Sequence, residues 1–169
     1  TSTTDAMGNS IDYSYDTKGR LTSVADEIGS YMNMTYDSNG NVISATNGAG
    51  TTAQFTYDAD GNCTAKTLTY TSDGAQKTVT EQYFYDNSGN LVKIIDSDGN
   101  VTTTEYNSMG KVSSATDEKG RKTVYDYDNF GNLVKISYPD GTTEAFTYDR
   151  EGNNLTATDR LGRTVTMTY

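Results

Sequence analysis

The chain has 169 residues, a net charge of −10 and 33% hydrophobic residues, with one cysteine and no histidine. The acidic balance argues against nucleic acid and anionic membranes as partners, because both require a basic surface. No apolar run approaches the ~18 residues of a transmembrane helix, so we expect no membrane insertion.

A seven-residue motif recurs along the whole chain and is clearest at Tyr85-Asp86-Asn87-Ser88-Gly89-Asn90-Leu91. Successive copies start at intervals of 21, 21, 28, 21, 21, 21 and 21 residues, counted from Tyr15 to Tyr169. Such regularity is typical of a repeat protein, in which each unit contacts its neighbours. The repeat residues expected to carry the architecture are Tyr15, Gly19, Tyr36, Gly40, Tyr57, Gly61, Tyr85, Gly89, Tyr106, Gly110, Tyr127, Gly131, Tyr148 and Gly152.

A second signal, Asp-x-x-Gly, lies about halfway between the copies. It occurs at Asp5…Gly8, Asp26…Gly29, Asp96…Gly99, Asp117…Gly120 and Asp159…Gly162. Asp at the first place of a turn bonds main-chain amides, and Gly at the fourth place accepts the left-handed conformation. With the repeat tyrosine as position 1, about six residues remain for each strand, at positions 6–11 and 16–21. The chain is therefore predicted to be all-β: an antiparallel β-hairpin meander of about sixteen short strands.

Two departures from the pattern fit this prediction. The third repeat is seven residues longer, and its central turn is predicted at Asp73-Gly74, a strong two-residue hairpin signal. Pro139 falls at the second place of the turn Tyr138-Pro139-Asp140-Gly141, where its fixed φ is favoured. We expect residues 1–169 to form one repeat array that is cut within a repeat at both ends, with a projecting, lengthened hairpin at about 62–85.

The apolar residues do not all fall on one face of the strands in any single register, so we expect both faces to be partly covered, one by more sheet. Two residues before each tyrosine the chain has Tyr13, Met34, Phe55, Tyr83, Thr104, Tyr125, Phe146 and Met167, and Thr104 is the exception. Position 7 is apolar in six repeats, and a bulged turn would bring it opposite the tyrosine. These residues are Leu21, Val42, Cys63, Leu91, Val112 and Leu133.

The Tyr-Asp-x-x-Gly-Asn-Leu pattern, repeated every 21 residues with a second glycine about ten residues later, resembles the YD (RHS) repeat family over the whole chain. The resemblance implies a secreted or cell-surface protein whose hairpins coil into a large hollow shell. In the bacterial toxin relatives the shell encloses a toxic cargo, and in the animal teneurins it is part of an adhesion receptor. The proline-rich core motif and the autoproteolytic aspartate pair of the toxin relatives are not found in this sequence.

Chemical sites are poorly supported by the sequence. Without histidine, Ser-His-Asp, Cys-His and His-containing metal sites are excluded, and Cys63 stands where other repeats have Leu or Val. Most aspartates occupy turn places that the repeat already explains, which argues against a glycosidase pair. Residues 58–62 and 96–100 resemble fragments of calcium loops but lack the remaining ligands. We therefore predict no enzyme activity and no catalytic, cofactor or metal residues.

The sequence favours a structural role, as the wall of a YD-repeat protein that encloses or displays a cargo such as a toxin domain. Its expected partners are further repeats of the same chain or copies of itself at both sheet edges, and an enclosed polypeptide or surface glycans. One alternative is a self-associating extracellular filament or adhesive surface protein. A second alternative is a carbohydrate-binding module that uses the rows of tyrosines.

Overall fold

The computed structural model describes residues 1–4, 9–27 and 29–169. These residues contain sixteen antiparallel strands, whose order in the open sheet follows their order in the chain, and no helix. The predicted antiparallel meander of about sixteen strands is therefore confirmed. The predicted turn at Asp5…Gly8 lies outside the described residues.

The chain divides into two units, residues 1–83 and 84–169, each of which is described by itself. The strands of the first unit, the last of which ends two residues beyond it, are β1 (Ser2–Thr4), β2 (Ser10–Tyr15), β3 (Leu21–Asp26), β4 (Gly29–Tyr36), β5 (Val42–Asn47), β6 (Thr52–Tyr57), β7 (Cys63–Ser72) and β8 (Ala75–Tyr85). The strands of the second unit are β9 (Leu91–Ile95), β10 (Val101–Tyr106), β11 (Val112–Thr116), β12 (Lys122–Tyr127), β13 (Leu133–Ser137), β14 (Thr143–Tyr148), β15 (Asn154–Thr158) and β16 (Thr164–Thr166).

The repeat tyrosine is the last residue of its strand, one residue later than the sequence predicts. The main-chain N–H of the following aspartate already belongs to the turn, as Asp86 shows by donating to the Asn90 carbonyl at 3.0 Å. Gly89 in turn donates to the Asp86 carbonyl at 3.0 Å. This is a type I turn followed by a left-handed glycine, the three-residue hairpin loop expected of the motif.

The glycine of each YD turn has the predicted left-handed conformation. The φ angles are +80° at Gly19, +100° at Gly40, +88° at Gly61, +80° at Gly89, +73° at Gly110, +84° at Gly131 and +87° at Gly152. The turn at Asp26 differs, because Asp26 pairs directly with Gly29, whose φ is +143°, and the register shifts between Val24 and Ala25.

The β7–β8 hairpin has strands of ten and eleven residues and a two-residue loop, Asp73-Gly74. Both loop residues have positive φ, 55° and 74°, as the type I′ turn typical of Asp-Gly requires. The ladder between β6 and β7 ends at the pair Thr52↔Thr69, so residues 70–77 extend beyond β6.

A bulge precedes the repeat tyrosine in each YD hairpin that has a described ladder. In the second unit, the register shifts between Asp126 and Tyr127, and Tyr127 then pairs with Leu133. The predicted pairing of the tyrosine with position 7 is confirmed at Tyr15, Tyr36, Tyr57, Tyr106 and Tyr127, and Tyr148 pairs with Asn154.

The bulge brings position 7 onto the face of the repeat tyrosine. Other apolar residues, such as Val101, which pairs with Ile95, lie on the opposite face, in keeping with the expectation that no single register gathers them all. Directly paired residues share a face, so Tyr127 and Leu133 lie beside Tyr125 and Ile136. We call this side the aromatic face. The opposite side carries Thr147, which pairs with Thr156 on the neighbouring strand. The hydroxyls of these two residues form a hydrogen bond of 2.6 Å, and we call this side the threonine face. Similar cross-strand bonds join Thr46 to Thr52, Thr67 to Thr80, Thr69 to Thr78 and Thr158 to Thr164.

We expected one face of the sheet to be covered by further strands, but no second layer is found among the described residues. Strands contact only their neighbours in the chain, and no described hydrophobic side chain is fully buried. Ser114, at 3% exposure, is the one buried residue in this part of the chain. Its hydroxyl donates to the Glu105 carboxylate at 2.6 Å. Each unit is therefore a single sheet layer that is stabilised by its turns, ladders and half-buried side chains.

The left-handed glycines give a first prediction. Gly89→Val should lower the free energy of unfolding by about 1–2 kcal/mol or more, because a β-branched residue is strained at φ +80°. Ser88→Ala, in the same exposed turn, should change it by less than about 0.5 kcal/mol, because only the main chain of Ser88 bonds to Asp86. Urea unfolding of both variants measures the difference, and equal stabilities would contradict the assignment.

Candidate functional site

The repeat tyrosines join consecutive repeats through their hydroxyl groups. Each of five tyrosines donates to a main-chain carbonyl oxygen fifteen residues earlier, at position 7 of the preceding repeat. The bonds run from Tyr36 to Leu21 (2.6 Å), Tyr57 to Val42 (2.8 Å), Tyr106 to Leu91 (3.1 Å), Tyr127 to Val112 (2.9 Å) and Tyr148 to Leu133 (3.0 Å).

The accepting carbonyl lies where the strand ladder has ended. The ladder between β11 and β12 runs from Thr116↔Lys122 to Ser114↔Val124 and does not include Val112. The hydroxyl of Tyr127 therefore bonds a main-chain oxygen beside the bulge that lies outside the β11–β12 ladder, and an unmet carbonyl there would carry a desolvation cost.

The sequence does not reveal this acceptor, but it contains the signal: every repeat has tyrosine, and none has phenylalanine, at position 1. The tyrosine residues from Tyr36 to Tyr148 are half-buried, whereas Tyr15 and Tyr169, the first and last of the series, are 52% and 79% exposed. Half-buried rings whose hydroxyls are already bonded are poorly suited to stack on a sugar.

The turn aspartates follow a pairing rule that sequence reasoning also missed. Asp86 accepts the main-chain N–H groups of Ser88 and Asn90 with Oδ1, at 2.8 and 3.0 Å. Its Oδ2 accepts the side-chain amide of Asn90 at 3.0 Å. The residue four positions after the aspartate thus completes the turn.

The identity of that residue depends on the first turn residue. In nine of the described turns that begin with Asp, the partner is Asn or Arg, both of which donate. These pairs are Asp16–Arg20, Asp37–Asn41, Asp58–Asn62, Asp86–Asn90, Asp96–Asn100, Asp117–Arg121, Asp128–Asn132, Asp149–Asn153 and Asp159–Arg163. Where the turn begins with Asn, at Asn47 and Asn107, the partner is Thr51 or Lys111 and only its main-chain N–H is used.

These donors stabilise the charged form of the aspartates. A side-chain donor is the largest cause of a lowered pKa, with main-chain N–H groups adding to it, at Asp37, Asp58, Asp86, Asp96, Asp117, Asp128, Asp149 and Asp159. The carboxylates are therefore occupied by their own turns.

The remaining candidates from the sequence have structural explanations. Asp58, in the calcium-like fragment, bonds the amides of Asp60 and Asn62. Cys63 pairs with Tyr57, and burial raises the pKa of its thiol, which is unfavourable for a nucleophile. In the described part of the chain, no three acidic or cysteine side chains form a group that could hold a metal ion, and no helix could span a membrane.

The tyrosine bond gives a second prediction. Tyr127→Phe should lower the free energy of unfolding by about 0.5–1.5 kcal/mol, because the Val112 carbonyl loses its partner. Tyr15→Phe is the matched control, since the hydroxyl of Tyr15 bonds no other described residue. Denaturant unfolding measures both variants, and the interpretation fails if the control loses as much stability as Tyr127→Phe.

The turn pairs give a third prediction. At neutral pH, Asp117→Asn should lower the melting temperature more than Asp128→Asn, because Asn132 can rotate its amide to accept a bond whereas Arg121 can only donate. Both pKa values are lowered, so the stabilisation is complete above the unfolded-state pKa of about 3.9 and is lost as the pH falls through the folded-state value.

The loss in each variant, relative to the unmodified chain, should therefore shrink below about pH 4. Melting temperatures measured by circular dichroism across this range test the sign. A deficit that stayed constant as the pH fell from 7 to 2 would show that charge does not cause it.

Comparison with known proteins places these repeats in a family. The teneurin YD-shell model matches residues 1–123, and the RHS repeat model matches residues 110–143. No curated protein matches the chain.

Solved structures of toxin complexes share the fold. The chain matches the crystal structure of TcdB2-TccC3-Cdc42 with a TM-score of 0.71 and 16% identity, over 97% of this chain and 10% of that one. It matches TcdB2-TccC3 without its hypervariable C-terminal region with a TM-score of 0.58 and 16% identity, over 93% and 11% of the two chains. The Photorhabdus luminescens Tc holotoxin pore gives a TM-score of 0.58 and 16% identity, over 99% and 11%.

This chain thus spans about a tenth of the length of the solved structures that it resembles. The family model covers most of its residues, including the YD motifs from Tyr15 to Tyr106 whose turns and tyrosine bonds are described above. The chain belongs to the teneurin YD-shell family.

Proposed function

We propose that this chain forms part of the wall of an extracellular shell, and that the wall encloses or displays a second polypeptide such as a toxin domain. The observation that carries the proposal is the single sheet layer with two different faces. No described hydrophobic side chain is fully buried, so the layer does not enclose a core of its own. A role as a wall is structural, and we assign no reaction to it.

The two faces suit different surroundings. The aromatic face carries half-buried rings at Tyr125, Tyr127, Phe146 and Tyr148 in the second unit. The threonine face carries hydroxyl pairs that bond each other across strands. A sheet whose two faces differ in this way fits between an enclosed polypeptide and solvent, since the aromatic rings can contact many different sequences.

The sheet edges support further repeats, or copies of this chain, as partners. The edge strands β1 and β16 have three residues each, all exposed. Met167, directly after β16, donates its N–H to the Leu155 carbonyl, and alternate residues of a strand point to the same side, so the N–H of Thr166 points away from β15. Such an edge can pair with another strand.

A filament is the second candidate, and the same observation favours it. Two open edges allow a head-to-tail contact that continues indefinitely unless the rotation per unit closes it. A wall closes into a shell and a filament does not. A carbohydrate-binding module that uses the tyrosine rows is less well supported than a wall or a filament. Most of these tyrosines are half-buried, and five of their hydroxyls already bond the main chain.

The fourth prediction concerns these edges. The 169-residue chain should self-associate as its concentration rises, and Thr166→Pro should weaken the association because proline removes an outward N–H. Thr166→Ala is the matched control and should associate like the unmodified chain. Light scattering after size-exclusion chromatography measures the mass, and circular dichroism checks that the variants remain folded.

Electron microscopy of the associated species then separates the two candidates. Closed particles support the wall, whereas fibres of indefinite length support the filament. A folded chain that stays monomeric at high concentration would overturn the idea that its edges need partners.

A further inference from the structure

Two consecutive YD turns of the second unit carry an apolar side chain at a place where the other repeats are polar. The place is position 4, the third residue of the turn, where Met109 and Phe130 are 47% and 86% exposed. Every described copy of this position is exposed, so packing within the sheet does not explain an apolar residue there. The other repeats have Lys18, Asn39, Asp60, Ser88 and Glu151 at this place.

The turns do not need these two side chains. Met109 and Phe130 each contribute a main-chain N–H, which donates to Oδ1 of Asn107 and of Asp128, respectively, at 2.9 Å. Ser88 donates its main-chain N–H in the same way, at 2.8 Å, so polar and apolar turns are closed alike. The methionine and phenylalanine side chains are therefore available to a partner.

The two apolar side chains lie beside each other on one margin of the sheet. In an antiparallel meander alternate turns lie at the same end of the strands, and only β11 and β12 separate these two turns. Because neighbouring strands are about 4.8 Å apart, the turns are about 10 Å apart. The Lys111 side chain crosses between them, since a Cβ added at Gly131 would lie 2.8 Å from its Cε. We call Met109, Lys111 and Phe130 the margin patch.

The charge of the margin patch differs from that of the chain, whose net charge is −10. Asn107 replaces the usual aspartate of this turn, and Lys111 replaces the asparagine that five other YD turns have at position 6. The Lys111 ammonium lies 5.7 Å from the centre of the Tyr127 ring and forms no ion pair with a described carboxylate. The carboxylate of Asp128, in the neighbouring turn, is already bonded by its own turn. Lys111 is thus a cation without a counter-ion between two apolar side chains.

We propose that the margin patch binds an acidic polypeptide segment that carries apolar side chains, with Met109 and Phe130 as anchors and Lys111 as the partner of a carboxylate. Methionine and aromatic residues are enriched in protein interfaces, and exposed apolar groups rimmed by polar residues are typical of partner contacts. A neutral partner would cover the ammonium of Lys111 without a counter-ion, which costs free energy. The patch lies at the margin and on neither face of the sheet, so this inference does not depend on the wall function.

Two other occupants fit the patch less well. A two-fold contact between copies of this chain pairs a surface with itself, so it would bring two Lys111 ammonium groups together. An anionic membrane attracts a lysine but repels a chain with a net charge of −10.

The test uses the 169-residue chain labelled with ¹⁵N, at a concentration at which it is monomeric, and three peptides with blocked ends. Gly-Leu-Glu-Glu-Leu-Gly is acidic and apolar, Gly-Ser-Glu-Glu-Ser-Gly is acidic and polar, and Gly-Leu-Lys-Lys-Leu-Gly is basic and apolar. In a polyproline II conformation the two leucines lie on one side, about 9 Å apart, which matches the spacing of the turns.

The acidic apolar peptide should cause saturable shifts of the amide signals of residues 107–111 and 128–132. The other two peptides should bind at least about fivefold more weakly, because each lacks one half of the recognition. The affinity of the acidic apolar peptide should also fall as sodium chloride is added, since the ion pair is exposed.

Phe130→Ser and Met109→Ser introduce the residue type that the preceding repeat has at this place. Each should weaken binding of the acidic apolar peptide by at least about fivefold and leave the melting temperature unchanged. Lys111→Glu should reverse the preference, so that the basic apolar peptide binds more tightly than the acidic one. Ser88→Ala, at the same place of the preceding YD turn, is the matched control and should leave binding unchanged. Melting curves check that each variant is folded.

Four outcomes would overturn the proposal. The acidic apolar peptide causes no saturable shifts at these two turns, or its polar counterpart binds as tightly. A folded Phe130→Ser or Lys111→Glu variant binds the acidic apolar peptide as well as the unmodified chain does. Lastly, vesicles of phosphatidylglycerol, or a second copy of the chain at high concentration, change these signals whereas the peptide does not.

Discussion

The bond from the tyrosine hydroxyl to the carbonyl of the preceding repeat is the interaction on which this sheet most depends. A single layer has no core that could hold distant elements together, so each repeat must be joined to the next by local bonds. The ladder between β11 and β12 ends at the pair Ser114↔Val124, before it reaches the bulge at Tyr106. The hydroxyl of Tyr127 continues the connection beyond the ladder by bonding Val112. The ring that carries this hydroxyl also covers the sheet, which explains why tyrosine serves here better than phenylalanine.

The turns also rely on local bonds, at the end of each hairpin. A turn such as that of Asp86 bonds two main-chain N–H groups and one side-chain amide with a single carboxylate. Charge-assisted bonds of this kind are stronger than neutral ones, and they make the turn independent of any packing above it. An acidic chain results, because one carboxylate is needed at most turns. Arg20 illustrates a second use of the partner residue, since its guanidinium also bonds the Asp37 carbonyl and lies 4.5 Å from the Tyr36 ring.

Sequence reasoning predicted the strands, turns and bulges because each depends on residues close together in the chain. Asp73-Gly74 and the Tyr127–Leu133 pairing are local features of this kind. The two faces of the whole sheet were not assigned from the sequence, because a bulge reverses the alternation that a regular strand would have. The Tyr127–Val112 bond was missed since its acceptor is a main-chain oxygen, which no residue type identifies. The Asp–Asn pairing was visible in the sequence and needed only a comparison of position 2 with position 6.

In a repeat array, regular positions explain the architecture, and departures from them are where a specific chemistry can arise. Leu133 and its equivalents contribute the same contact in each repeat, so no single one can give the sheet a distinct site. Thr104 and Tyr138 break the pattern at positions 34 residues apart in the sequence, yet both line one cavity. The antiparallel meander makes this possible, because residues on the same face of successive strands stay neighbours across the sheet. A sheet of such repeats can therefore form a local surface of distinct shape by exchanging a few side chains while its turns and tyrosine bonds remain in place.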